Sequence, residues 1–159
     1  MKMRLFLNAI ALVLVAASGC ARLDPHAVYF LVSEISVEHG DSFILPITDP
    51  DDIAYARAII ADPNQEGPRI VVAQVEKCNA CTGLNRDLLN DGKRWSWCVT
   101  EFTGFADITA EIYDGWPTYV EENYDEWYET TQGGIGFWSY TVTRELDPVE
   151  VLTGRLKDE

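Results

Sequence analysis

Three cysteines in the middle of the chain are the residues whose spacing points most directly to chemistry. Cys78 and Cys81 form a Cys-x-x-Cys motif, and Cys98 follows in a later segment. Such a motif can be a redox pair, half of a zinc site or part of a structural disulfide framework. Neither His26 nor His39 has zinc-finger spacing, and a polar stretch follows where a redox motif would begin a helix. We therefore favour a structural bridge from Cys98 to Cys78 or Cys81, with redox and metal roles as the alternatives.

The first twenty residues have the features of an export signal. Lys2 and Arg4 precede an apolar run over residues 5–17, and small residues lead to Cys20. The run is shorter than the roughly 20 residues that a membrane-spanning helix needs. Its small-small-Cys ending resembles the lipobox of bacterial lipoproteins, in which the cysteine thiol is acylated and becomes the mature N-terminus.

This resemblance predicts a lipoprotein signal peptide over residues 1–19 and a lipid-anchored spacer over residues 20–26, with palmitate-type chains on Cys20. Ala21, rather than Asp, resembles the sorting pattern for the outer membrane, where the cell has one. Ordinary cleavage after Ala17 or Ser18 is the alternative and would give a secreted protein. Both routes lead to an oxidising compartment, where disulfides persist. Acylation of Cys20 would leave three cysteines, and so at most one disulfide and one thiol.

The mature chain is strongly acidic. Without the signal peptide it has 10 basic and 26 acidic residues, a net charge of −16. Binding of nucleic acid needs a basic face, so we expect no such partner. About 140 residues remain, which is the size of a single domain with its own core. No motif indicates a cofactor or a metal centre, and we expect neither.

Two groups of side chains are candidates for binding a ligand. Trp95 and Trp97 could stack on sugar rings, although large aromatic residues more often pack in a core, as we also expect of Trp127. The second predicted helix has an acidic face that could contact a partner or calcium, and its alternative role is plain solvation. The acidic candidates are Glu121, Glu122, Asp125 and Glu126.

Paired carboxylates could also hydrolyse glycosides, which requires a separation of about 5 to 9 Å. The candidates on predicted strand positions are Glu101, Asp107, Glu111 and Asp114. A Ser-His-Asp site has little support, since His26 and His39 are the only histidines and no Gly-x-Ser-x-Gly motif occurs. We expect no catalytic residues, and keep the hydrolase as the less favoured alternative.

The elements that must position these residues follow an α+β pattern. Alternating apolar residues predict a hairpin over residues 27–37 and 42–47, with Pro46 marking an edge strand, and strands over residues 69–77, 94–100, 105–113 and 137–145. Helices are predicted from a Thr48 or Asp49 cap to Asp62, and over residues 118–129. We expect one domain, residues 27–146: an antiparallel sheet of about five to six strands with two helices packed on one face. A charged, frayed tail would follow over residues 147–159.

The order of these segments resembles a family of small secreted bacterial and fungal proteins, loosely labelled calmodulin-binding-protein-like, of the N-terminal domain type. The resemblance covers about residues 29–146 and is carried by DPDDIAYARAII, RIVVAQV, RWSW, FADITAEIYDG, WPTYVEEN and FWSYTVTREL. It brings no established activity. Family members have cysteines near the positions of Tyr113 and Phe137 that look like a disulfide pair. This chain lacks both cysteines. Their absence suggests that its disulfide lies instead in the hairpin formed by the predicted strands over residues 69–77 and 94–100.

These observations predict a membrane-tethered, non-enzymatic binding module of the cell envelope, held to the lipid bilayer through acylated Cys20. The loop over residues 78–93 and the acidic helix would form its contact surface, for a protein or carbohydrate ligand. A disulfide-stapled loop would also suit an inhibitor of a secreted hydrolase, because preorganisation lowers the entropic cost of binding.

Overall fold

A computed structural model describes residues 23–35, 38–64, 66–78, 83–108 and 114–157. The strands in these ranges are β1 (Val28–Glu34), β2 (Ser42–Ile47), β3 (Ile70–Lys77), β4 (Arg86–Asp87), β5 (Lys93–Arg94), β6 (Trp97–Ala106), β7 (Gly134–Ile135) and β8 (Tyr140–Leu146). The helices are α1 (Pro50–Ala61), α2 (Pro117–Glu122), α3 (Tyr124–Thr131) and α4 (Pro148–Thr153). Among the described residues, no helix is long and apolar enough to cross a membrane.

The strands form two three-stranded antiparallel sheets and a two-stranded ribbon. One sheet has the order β2-β1-β8, the other has the order β6-β3-β7, and β4 pairs with β5. The α+β class is therefore confirmed, whereas the expectation of one sheet with five to six strands is wrong. Among the described strands, neither edge strand of the first sheet, β2 or β8, pairs with an edge strand of the second, β6 or β7, so the two sheets stay separate. Alternation of apolar residues identifies strands, but it does not say which strands pair.

Local signals in the sequence correctly predict the first half of the fold. The β1–β2 hairpin pairs Val28 with Ile47 and Ser33 with Ser42, and Pro46 lies in the edge strand β2. Asp49 caps α1, accepting hydrogen bonds from the backbone of the first turn.

The second predicted helix is broken at Asn123 into α2 and α3.

A single main core joins the two sheets and three of the helices. The sheet residues in it include Phe30, Val32, Phe43, Val71, Val75 and Val99, and the helix residues include Ile53, Ile59, Val120 and Trp127. Trp95 and Trp97 belong to the same core. The helices thus bury their apolar stripes against both sheets rather than against one face of one sheet.

A second apolar cluster lies on the other face of β1. It contains Tyr29 and Leu31 together with Leu88 and Val151, and Leu23 packs against it. Val151 belongs to α4, so the expectation of a frayed tail over residues 147–159 is wrong for most of that range. Asp147 and Glu150 form a capping box that begins α4, and burial of Val151 holds the helix in place.

Candidate ligand-binding cleft

A cleft of about 510 Å³ opens beside the end of β2, the start of α1 and the middle of β6. Four carboxylates line it: Asp24, Asp49, Asp52 and Glu101. Ala27, Pro46, Leu84 and Phe102, which are partly exposed, provide its apolar surface. No lysine or arginine occurs among the described residues that line the cleft. The cleft therefore combines negative charge with an apolar wall.

The carboxylates are positioned by local backbone structure. Asp49 Oδ1 accepts hydrogen bonds from the backbone N–H groups of Asp51 (2.9 Å) and Asp52 (3.2 Å), which is how an N-cap residue satisfies the first turn of a helix. Asp24 Oδ1 accepts a hydrogen bond from the backbone N–H of His26 (2.8 Å). The hydroxyl of Tyr29, which also lines the cleft, donates to the carbonyl oxygen of Asp24 at 3.1 Å.

Burial and like charge shift the ionisation of the cleft residues. Burial, and then the neighbouring Asp49 and Asp51, raise the pKa of Asp52 above its ordinary value. Burial also raises the pKa of Tyr29. A carboxylate with a raised pKa is stabilised by whatever brings it positive charge, either a proton or a cationic ligand. The electrostatics of the cleft therefore favour a cation.

The carboxylates that could serve a hydrolase are not brought together. Glu101 lines the acidic cleft, but Asp107 is exposed just beyond the end of β6. Asp114 lines a different cavity, beside Trp127. Glu111 lies outside the described residues. Of the three described candidates, no two share a cavity: Glu101 lies with Asp24, Asp49 and Asp52, and Asp114 lies with Glu126.

The two tryptophans proposed as a sugar platform are buried. Trp95 is 2% exposed and Trp97 is fully buried, and their rings stack 5.7 Å apart. The indole Nε1 of Trp95 donates to the carbonyl oxygen of Ser42 at 2.9 Å. Their faces are therefore occupied by the core, and neither ring can stack on a ligand in this conformation.

The acidic residues of the second predicted helix do not converge on one site. Glu121 accepts hydrogen bonds from the backbone N–H (2.8 Å) and hydroxyl (3.0 Å) of Ser96. Asp125 forms an ion pair with Lys77 at 2.7 Å. Glu122 and Glu126 are exposed. Two of the four candidates thus have partners within the fold.

The cysteines lie next to the acidic cleft. The Cys98 side chain lines the cleft, and its thiol is hydrogen-bonded with Cys78. This hydrogen bond and burial raise the pKa of Cys98 above its ordinary value, so Cys98 is held as the neutral thiol. Cys81 and Cys20 lie outside the described residues, so the bridge from Cys98 to Cys78 or Cys81 stays a prediction.

The sequence favoured helix capping over a calcium loop as the role of the acidic group at residues 49–52. The structure shows that Asp49 caps α1 and also lines the cleft, with Asp52 beside it. No sequence pattern marked Asp24 as a site residue, because it lies in the predicted spacer over residues 20–26. Asp49, Asp51 and Asp52 are more carboxylates than one helix cap requires, and this was the sequence feature that could have indicated the site.

Comparison with known protein families identifies the family of this chain. The family model described as BP-74 N-terminal domain matches residues 26–149, a range that includes every described strand and the helices α1 to α3. No curated protein and no solved structure matches the chain. The resemblance to a calmodulin-binding-protein-like N-terminal domain is confirmed by this match. The chain belongs to the BP-74 N-terminal domain family.

Proposed function

We propose that this protein is a membrane-tethered, non-enzymatic binding protein of the cell envelope, and that its acidic cleft holds lysine or arginine side chains of a protein partner. The observation that carries the proposal is that four acidic residues line one cleft, whose described lining has no basic residue. A cationic side chain entering the cleft would supply the missing positive charge.

The shape of the cleft also suits lysine and arginine. Both side chains have a methylene stem that packs on apolar surface and a charged end that pairs with carboxylates. The partly exposed Pro46, Leu84 and Phe102 offer surface for the stem. Asp52 and Glu101 offer acceptors for the charged end. The net charge of −16 of the mature chain would further attract a basic partner over distance.

The tether would hold the cleft near the bilayer. Leu23 packs in the second apolar cluster, and Asp24 lines the cleft. Cys20 precedes Leu23 by three residues, which span at most about 10 Å when extended. We therefore infer that the partner reaches the cleft at the membrane surface, as another envelope protein would.

The two alternative functions are inhibition of a secreted hydrolase and hydrolysis of glycosides. An inhibitor of a secreted hydrolase would use the same cleft to capture a basic side chain of its target. A glycoside hydrolase is favoured by one observation, the raised pKa of Asp52 in a cleft that it shares with Glu101. A hydrolase would turn over an oligosaccharide, whereas a binding protein would leave its ligand intact.

The proposal is tested by calorimetric titration of the full chain, in detergent micelles, with tetralysine. The double variant Asp52→Asn/Glu101→Gln should bind about tenfold more weakly, because about 1.4 kcal/mol of charge pairing is lost. The matched control Glu66→Gln/Glu122→Gln removes the same charge from exposed positions outside the cleft. It should bind within about twofold of wild type.

Two results would count against a binding function for the cleft. Equal weakening in both double variants would mean that tetralysine senses only the net charge. Release of reducing sugar from oligosaccharides by wild type, lost in Asp52→Asn, would favour the hydrolase.

A further inference from the structure

A cluster of metal-ligating side chains lies at the turn between β1 and β2, at the other end of this hairpin from the acidic cleft. One ligand atom from each of Glu34, Glu38 and His39 lies within 4.8 Å of the other two. Glu34 is the last residue of β1, and the other two belong to the turn. Backbone hydrogen bonds from the turn explain the position of the Glu34 carboxylate, but they do not require the side chains of Glu38 and His39 to approach it.

Backbone hydrogen bonds fix the carboxylate of Glu34. Its Oε2 accepts from the backbone N–H groups of Glu38 (2.9 Å) and His39 (2.8 Å). These bonds hold the end of β1 against the turn and keep the carboxylate in one orientation. Support of this kind around a ligand increases metal affinity, because less ordering is left to occur on binding.

The imidazole of His39 is fixed independently, by a residue from another part of the chain. Its ring lies parallel to the ring of Trp116, with centroids 4.3 Å apart and an angle of 1° between the planes. Trp116 is the N-cap residue of α2 and also packs against Tyr119. A ring stacked by its face keeps both nitrogens at its edge, where a metal ion would bind.

The charge around the cluster favours a cation. Within the described residues, neither Glu34 nor Glu38 forms an ion pair with a lysine or arginine. Asp41 lies two residues beyond His39, and its carboxylate accepts a hydrogen bond from the hydroxyl of Tyr140. Glu34 is close enough to Tyr140 to affect its ionisation. The turn is thus a region of concentrated negative charge.

We propose that Glu34, Glu38 and His39 bind a divalent transition-metal ion of the zinc class. One imidazole nitrogen and two carboxylates form a donor set that suits zinc and its neighbours, whereas calcium and magnesium prefer oxygen donors throughout. Three protein ligands leave a coordination position for water or for a side chain of a partner. The site is independent of the proposed function of the acidic cleft.

The test is a titration of the full chain with Zn²⁺ by calorimetry and with Co²⁺ by visible absorption. The cysteines are alkylated first, because thiols also bind these ions. Wild type should bind one ion per chain at the turn, with cobalt bands that lack thiolate charge transfer. His39→Phe keeps a ring to stack on Trp116 but removes the nitrogens, and should bind at least tenfold more weakly. Glu38→Gln should weaken binding similarly.

Glu122→Gln is the matched control, since Glu122 is exposed and lies outside the cluster. Its affinity should stay within twofold of wild type. Thermal melting of His39→Phe should match wild type, which separates loss of ligation from loss of fold. The absence of saturable binding to wild type, or equal affinity in wild type and His39→Phe, would overturn the proposal.

Discussion

Two buried carboxylates hold the region around the β1–β2 turn together. Asp87 is 1% exposed, and its Oδ1 accepts hydrogen bonds from the backbone N–H (3.1 Å) and hydroxyl (2.8 Å) of Ser42. Asp41 is 2% exposed and accepts from the backbone N–H (2.9 Å) and hydroxyl (2.8 Å) of Thr118. Each acid thus joins the start of β2 to a distant segment, which explains why both are buried.

Asp87 should make the stability of the protein depend on pH. Burial raises its pKa above the ordinary aspartate value of 3.8, so the folded state holds this proton more tightly than the unfolded state. The stabilisation is fully present below that value and is lost as the pH rises through the folded-state pKa. The pKa of Glu145 is instead lowered by its hydrogen bonds with Arg57, so its contribution is lost as the pH falls. The two effects oppose each other in wild type.

A comparison with Asp87→Asn isolates the aspartate. Urea unfolding of both proteins from about pH 4 to about pH 7 should show a stability difference, wild type minus variant, that decreases as the pH rises. Asn should also destabilise at every pH, because its amide would face the Nδ2 of Asn90, which now donates to Asp87 at 2.7 Å. A difference that is constant or increases with pH would contradict this account.

At the scale of elements, α4 depends on one buried carboxylate. Glu150 is 2% exposed and accepts from the backbone N–H groups of Asp147 (2.8 Å) and Lys157 (2.7 Å), and from Arg144 Nη2 (2.9 Å). Burial alone would raise its pKa, but these hydrogen bonds and the charge of Arg144 outweigh burial and lower it. The carboxylate therefore links the start of α4, the end of the chain and β8.

Glu150→Ala should destabilise the fold by about 2 to 4 kcal/mol, because it leaves buried donors and the Arg144 guanidinium without their acceptor. The measurement is urea unfolding at neutral pH. Glu66→Ala, at an exposed position, is the control and should be unchanged within error. An unchanged midpoint for Glu150→Ala would mean that α4 contributes little to the fold.

The elements also show what a sequence can and cannot predict. Asp49, Pro50 and the alternation in β1 act through neighbours in the chain, so α1 and the first hairpin were predictable. The division into two sheets depends on pairing between distant strands, such as β1 with β8, and had no local signal. The capping box at Asp147 was present in the sequence but was hidden by the charge of the tail. The cleft combines residues near positions 24, 50 and 100, and no local sequence pattern indicates that these residues lie together.

At the scale of the whole molecule, acylation of Cys20 would determine where the domain is held. If Cys20 is acylated, Cys20→Ala should move the protein from the membrane fraction to the soluble fraction, because the lipid provides the attachment. Intact mass of the extracted wild-type protein should show the acyl chains. Alkylation without reductant should then label one thiol among Cys78, Cys81 and Cys98. An unacylated protein with four paired cysteines would contradict the tether and favour a freely secreted inhibitor.

The central claim is that the acidic cleft binds a cationic side chain. The most direct measurement is an amide NMR titration of the full chain with tetralysine. The account predicts saturable shifts at the cleft residues Tyr29, Val99, Glu101 and Phe102, and their loss in Asp52→Asn/Glu101→Gln. Shifts confined to the acidic face of α3, or shifts that survive in the double variant, would contradict it.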